Sequence, residues 1–507
     1  MSPRRMCRLP LAVILLLGGL MAGRAQNPPL PVSRQVNVNA LGQNIPNDAA
    51  NEPSMCIDPL NPRRMAVGWR QFTNINNNFR QAGYGYTTNG GLNWSFGGTL
   101  ETNIFRSDPV LASDASGQFY YLSLQITPAF RNDLWTSTNG GASWRRIADA
   151  VGGDKAWMTI DQTTSPGRGH LYQCWSTAGN GFGSRIFSRS TDRGTNWLDP
   201  IEQPQTPYWS TLDVGTNGEL CLLGWNGSGF WFNRSRNATN PAVTPTFDLT
   251  TSVSLGGSLV FQAAPVNPEG LLGQPWIAVD KSSGPTRGNI YALCSVSGAG
   301  NPVDVMFARS TNGGTTWSAP VRLNTDSATQ NAWHWFGTLA VAPNGRIDVC
   351  WNDTRSNTNN LFSELYYTSS TNGGVTWTTN RPISQPFNHT LGYPMQQKMG
   401  DYIQMISLDD AACIAYTATF NGEQDVWFVS VDQPIVTTIA KNAGGVRLSW
   451  NAVAGRNYCV QVKTNLLTPW AMSMNLGCVT ATNSLGSLDD PSLSGSMQRF
   501  YRVGRQP

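Results

Sequence analysis

Charge is scarce in this chain: 13% of its 507 residues are Asp, Glu, Lys or Arg. Histidine is scarcer still. His170, His334 and His389 stand far apart and no Cys-x-x-Cys spacing occurs, so the usual zinc frameworks are excluded and no metal or cofactor is expected. Long apolar runs are missing too. Beyond residue 25 nothing approaches the ~18 consecutive apolar residues of a spanning helix, so no membrane span is expected. Net charge of either sign is also absent. Residues 1–25 hold four of the 35 basic residues and no acid, which leaves 31 basic against 31 acidic. Such a balance excludes a nucleic-acid surface built on charge. Nine cysteines are present. Cys174, Cys221, Cys294, Cys350 and Cys413 fall at equivalent places in successive apolar runs and read as buried free thiols. Cys459 and Cys478, near the end, could pair or stand free.

What the chain has first is a leader. Arg4, Arg5 and Arg8 precede the apolar run 9–20, and the small residues Gly23 and Ala25 follow. This is the layout of a secretory signal peptide cleaved near Ala25, so the mature protein is expected to be secreted, periplasmic or at the cell surface. About 480 residues remain, enough to bury a large core and to form more than one domain.

The dominant pattern is S/T-x-N/D-x-G-x-S/T/N-W, found at residues 87–94, 137–144, 190–197, 310–317 and 370–377. Each copy lies between two strand-like runs, so it reads as a hairpin corner. The Asn or Asp folds back onto backbone N–H groups, the Gly takes a conformation that a Cβ resists, and the Trp packs inward. Four copies carry the neutral Asn89, Asn139, Asn312 and Asn372, which marks the corner as scaffold. A second repeat lies between the corners. "EPSMCIDP" from Glu52, "SDPVLASD" from Ser107, "KAWMTIDQ" from Lys155, "WSTLDVGT" from Trp209, "QPWIAVDK" from Gln274, "FGTLAVAP" from Phe336 and "GDYIQMIS" from Gly400 are short apolar strands, each followed by another. Four strands per repeat, seven times, predict an all-β fold: a seven-bladed β-propeller over residues 34–432, with six blades as the alternative. The seventh blade has no fourth strand of its own. Segment 34–41 is the natural donor that closes the ring and removes an exposed edge. Residues 435–507 follow a different, alternating pattern and predict a small β-sandwich.

The corner resembles the Asp-box, or BNR, repeat of sialidases and related secreted propellers, and the chain looks like the sialidase-like group of exported bacterial propellers. The tail resembles a fibronectin-III module. The resemblance implies corners on the rim away from the site, a carbohydrate ligand and a glycosidase activity. The F/Y-R-I-P motif of true sialidases is absent, its place held by Glu52-Pro53-Ser54-Met55.

If corners mark one rim, the opposite mouth carries the starts of first strands and the loops between second and third strands. Residues so placed include Glu52, Arg106, Asp108, Asp154, Lys155, Trp209, Gln274, His334, Trp335, Lys398, Asp401 and Tyr402, with Arg70, Arg80, Arg131, Asp353 and Arg355 from the loops. Glycoside cleavage needs carboxylates whose proton affinities differ. Glu52, Asp108 and Asp401 are the acid/base candidates, and Tyr402 suits a nucleophile by chain order or packs into the channel. Arg70, Arg106, Lys155, Asp353 and Arg355 are candidates for holding an anionic sugar, Trp335 for stacking on its ring. Each has a plain alternative: carboxylates capping strand ends, an Asp353–Arg355 pair fixing its loop, a Trp in the core. Three functions follow: an exported glycoside hydrolase, a non-catalytic glycan- or protein-binding propeller, or a polysaccharide lyase. The partner expected is a glycan, and the chain is expected to act as a monomer.

Overall fold

The computed structural model describes residues 30–505, except 263, 299, 329, 434, 436, 443–444, 454, 466, 469–471, 483–484 and 492–497. The expected signal peptide, residues 1–25, lies outside the described residues. Seven antiparallel sheets form the main body. Their innermost strands touch one another in cyclic order and close a ring, so the seven-bladed reading holds and the six-bladed alternative falls. Blade one is Ala49–Ile57, Met65–Phe72, Gln81–Thr87 and Ser95–Thr99, each paired with the next. Blade seven is Gln404–Ser407, Ala411–Ala418 and Asp425–Asp432, and its outer strand comes from the other end of the chain. Arg34 and Gln35 pair antiparallel with Phe428 and Trp427, as the missing fourth strand required. Val36 continues the ladder by donating its N–H to the Val426 carbonyl at 2.8 Å.

The corners explain how flat sheets become a wheel. In each, a Ser or Thr hydroxyl is the hub. Ser310 Oγ accepts the Gly314 N–H at 2.9 Å and donates to Asn312 Oδ1 at 2.9 Å, and that oxygen accepts the Thr316 N–H at 3.0 Å. The same three bonds recur in the corners at Thr87, Ser137, Ser190 and Ser370. Gly314 sits at φ +88°, and a Cβ there would fall 2.1 Å from Phe232 of the preceding blade. Trp317 packs edge-on to the same Phe232, with ring centroids 5.4 Å apart. Each corner therefore fastens its blade to a neighbour as well as turning the chain. In blade four the pattern survives only as Ser235 Oγ bonded to Asn237 Oδ1 at 3.0 Å, followed by a short 3-10 turn.

The inner strands enclose a cavity of about 820 Å³. Cys56, Cys174, Cys221, Cys294, Cys350 and Cys413 are buried free thiols, held protonated by burial. The tail forms two three-stranded sheets around Leu448, Trp450, Tyr458 and Val460. Cys459 and Cys478, directly opposite on neighbouring strands, are joined in a disulfide. Tyr458 and Arg505 of the tail reach Asp410 of blade seven at 3.1 and 3.6 Å.

Candidate functional site

The mouth opposite the corners is built from one backbone device used repeatedly. Where a first strand begins, its register slips: between Asn51 and Ser54, Ser107 and Val110, Tyr208 and Thr211, and Trp335 and Thr338. The residue inside or beside each slip takes the left-handed conformation: Glu52 at φ 54°, Asp108 at 48°, Trp209 at 52° and Phe336 at 58°. Lys155 at φ 54° and Gly400 at φ 96° hold the matching places in blades three and seven. A side chain in this region costs on the order of 1–3 kcal/mol, and such outliers gather where function needs a particular aim. Here the bulge turns a side chain that would lie in the sheet toward the centre of the mouth.

Five of the candidate residues, Glu52, Asp108, Asp401, Arg70 and Lys155, meet there, with Lys398 and Arg80 beside them. Arg70 Nε lies 3.2 Å from Glu52 Oε2, and Lys398 Nζ lies 3.2 Å from Glu52 Oε1 and 2.5 Å from Asp401 Oδ2. Lys155 Nζ is 3.8 Å from Glu52 and pairs with Asp401. Asp108 Oδ2 accepts the Lys155 backbone N–H at 2.9 Å, and its Oδ1 accepts the Ser107 hydroxyl at 2.6 Å. Arg80 Nε donates to the same Ser107 at 3.1 Å. Asp401 Oδ1 is fixed by the Leu271 N–H at 2.8 Å, donated by a segment that crosses from the entry to blade five. Segment 260–272 thus covers part of the mouth. Beside it a cleft of about 350 Å³ is lined by Asn78, Gln262, Glu269, Met395 and Gln396, the last accepting a bond from Arg70 Nη1 at 3.1 Å.

Burial governs the charges. It would keep Glu52 protonated, but Arg70, Lys398 and Lys155 outweigh it and hold this carboxyl well below the usual range. It likewise opposes ionisation of Asp108, where Lys155 prevails and the pKa falls. Lys398 moves well below its ordinary value, through burial and the repulsion of Lys155 that Glu52 does not cancel. Asp154 goes the other way: burial, then the charge of Asp108, raises it to about 6. Both Glu52 oxygens and Arg70 Nη2 are buried without a well-aligned hydrogen-bond partner.

Other expected residues lie elsewhere. Tyr402 is not an exposed nucleophile. It packs against Trp157 at 5.2 Å, gives its O–H to the Pro109 carbonyl at 2.8 Å, and is pushed far above its normal pKa by burial and then by Glu52. Trp335 offers no stacking face, being fully buried against Phe336 and His389 with its Nε1–H on Ser363 Oγ at 3.1 Å. Arg106 is occupied within blade two by Asp133 and Glu101 and lies over the Trp135 ring. Asp353 and Arg355 pair at 2.6 Å, the local reading, inside a separate network. In that network His334 Nε2 lies 3.1 Å from Asp326 and 3.6 Å from Asp353, and Nδ1 lies 3.4 Å from Asp304 and donates to the Val303 carbonyl at 2.8 Å. Asp154, Arg80 and Lys398 belong to the central cluster but were not singled out from the sequence beyond their place at the mouth. The adjacency of Asp154 to Lys155, in the one blade where an acid and a base stand side by side at the bulge, was the available signal.

No protein-family model matches the sequence, and no curated protein does. Solved structures of similar fold include a protein of unknown function from Dyadobacter fermentans, 12% identical, with a TM-score of 0.46 over 79% of this chain and 97% of that one. A fungal alcohol oxidase of the AA5 family, in complex with copper, is 12% identical with a TM-score of 0.49 over 86% of each chain. The NanB sialidase of Streptococcus pneumoniae is 11% identical with a TM-score of 0.39, over 80% of this chain and 71% of its own. What is shared at this identity is the fold alone, and other structures that share it are a polysaccharide lyase of family PL25 and an α-L-arabinofuranosidase of Fusarium graminearum.

Proposed function

We propose that this chain cleaves a glycosidic bond of an acidic glycan outside the cytoplasm. Asp154 is the proton donor, and the Arg70 and Arg80 guanidiniums hold the sugar's negative group. The observation that carries the reading is the pair of acids at the bulge: Asp108, whose Oδ2 accepts the Lys155 N–H at 2.9 Å and which Lys155 holds ionised, and the adjoining Asp154, which burial and then the charge of Asp108 raise to about 6. Asp154 gives its proton to the leaving oxygen. Ionised Glu52 faces the positive charge that builds at the anomeric carbon and takes the proton of the attacking water. The Cys459–Cys478 disulfide supports export, since such bonds persist in oxidising compartments. Among the described residues no helix is long and apolar enough to cross a membrane.

The test is turnover of a panel of glycosides and acidic polysaccharides. Asp154→Asn should lower kcat by roughly 10²–10⁴-fold with little change in stability. The wild-type rate should fall as pH rises through about 6, where Asp154 loses its proton. A second reading, a glycan-binding propeller without catalysis, is favoured by one fact: Lys155 and Lys398 tie Glu52 to Asp401 in a buried, mutually satisfied bridge. Glycan binding that survives Glu52→Gln, Asp108→Asn and Asp401→Asn together, with no turnover on any substrate, would favour it.

A further inference from the structure

A second group of carboxylates sits where the ring closes, on the same rim as the mouth but without its cations. Asp48 immediately precedes the inner strand of blade one, while Glu423 and Asp425 lie at the start of blade seven's third strand. One oxygen from each lies within 4.8 Å of the other two. At the mouth Glu52 and Asp401 face ammonium or guanidinium groups. Here, among the described residues, none of the three forms an ion pair, although Asp48 is 3% and Asp425 0% exposed. Three like charges in a buried space repel by several kcal/mol unless a proton or a cation lies among them.

What surrounds them is amide, arranged as outer support. Gln71 Nε2 donates to Asp48 Oδ2 at 2.8 Å, Asn37 Nδ2 to Asp425 Oδ1 at 2.8 Å and Asn421 Nδ2 to Asp425 Oδ2 at 2.9 Å. Asn44 Nδ2 and the Asn47 N–H donate to the two oxygens of Glu423 at 2.6 and 2.7 Å. These bonds orient the carboxyls, as partners of metal ligands do. Independently of the clustering, one atom is left over: Asp48 Oδ1 is buried with no hydrogen-bond partner. A buried carboxylate oxygen without a donor is costly, and it lies on a carboxyl that faces Glu423 and Asp425.

We infer that Asp48, Glu423 and Asp425 bind a hard divalent cation, Ca²⁺ by preference, that clasps the N-terminal segment and blade seven onto blade one. The donors are oxygen only, which disfavours zinc. Oxygens within 4.8 Å of one another fit around a cation with bonds of 2.3–2.6 Å, and a cluster of protein carboxylates suits Ca²⁺ better than Mg²⁺, which demands near-octahedral geometry and keeps several of its waters. Carbonyls and water complete the six to eight ligands that Ca²⁺ takes. The clasp has a structural consequence: Asn37, Asn44 and Asn47 come from the segment that supplies the missing strand, so the cation and the strand hold the same seam.

The experiment uses the full mature chain, stripped with chelator and then titrated with CaCl₂, MgCl₂ or ZnCl₂ while heat uptake and thermal unfolding are followed. Ca²⁺ should bind once per chain, raise Tm by roughly 3–6 °C at saturation, and slow tryptic cleavage after Arg34. Asp48→Asn and Asp425→Asn should each abolish the shift. In chelator both should be at least as stable as the wild type, since each removes a repelled charge, so loss of the shift cannot be put down to misfolding. No calcium-dependent heat or shift in the wild type, equal shifts with all three cations, or an unchanged response in both variants would overturn the inference.

Discussion

The two rims of this wheel are made from the ends of the same strands and could hardly differ more. On the corner rim, five blades repeat one set of bonds, Ser or Thr to Asn or Asp to backbone, through neutral groups in all but the Asp192 copy, and one contact of a glycine with an apolar side chain of the preceding blade. On the mouth rim the blades repeat only a backbone bulge, and each fills it differently: Glu52, Asp108, Lys155, Trp209, Phe336, Gly400. Sameness at one end closes the ring. Difference at the other concentrates unlike charges in one place. The rim that packs can be read as a motif, whereas the rim suited to chemistry has no motif beyond its position.

That contrast can be broken in graded steps. The largest effect is expected for Glu52→Gln, which leaves Arg70, Lys155 and Lys398 buried around a neutral group. Chemical denaturation should register a loss of roughly 3–5 kcal/mol. If the loss stays below about 1 kcal/mol, the mouth is more open to water than its burial indicates. Next comes Gly314→Ala on the corner rim. A left-handed alanine and a methyl 2.1 Å from Phe232 should cost about 2–4 kcal/mol, with kcat per folded molecule unchanged. Ser310→Ala, which removes the hub hydroxyl, should cost about 1–3 kcal/mol by the same assay, again without touching turnover.

The smallest effect is a pH dependence in the blade-six network. Burial would lower His334, but hydrogen bonds to Asp304 and Asp326 and the charge of Asp353 raise it to about 9. A base raised in the folded state stabilises fully below its unfolded value of 6.5, and that contribution fades as pH climbs through about 9. Stability should therefore fall by on the order of 2 kcal/mol between pH 6.5 and 9, and His334→Gln should flatten the slope. A slope that survives the substitution would assign it to another group.

How much of this could be read beforehand follows from the range of the interactions involved. The corners were legible because their bonds join residues two and four apart, so spacing and residue type carry the whole structure. Blade number, the closing strand and the buried thiols were legible through repetition. Asp353–Arg355 was legible as a pair because its members stand two positions apart. Trp335 and Tyr402 were placed correctly along the chain, but their burial depends on Phe336, His389, Trp157 and Pro109, which only packing brings near. Asp154 was visible at the mouth, but its elevated pKa comes from its burial and then from the charge of Asp108, 46 positions earlier.

The sequence by itself determined the repeat, its handing of the last strand to the first segment, and which rim would be neutral, because local hydrogen bonds and alternating apolar strands need no distant partner. Only the tertiary structure decided which charges meet, which carboxyl keeps its proton, that segment 260–272 lies across the mouth, and that Asp48 faces Glu423 and Asp425 across the seam. Those outcomes depend on distances between residues hundreds of positions apart and on the exclusion of water between them, and neither is written in spacing.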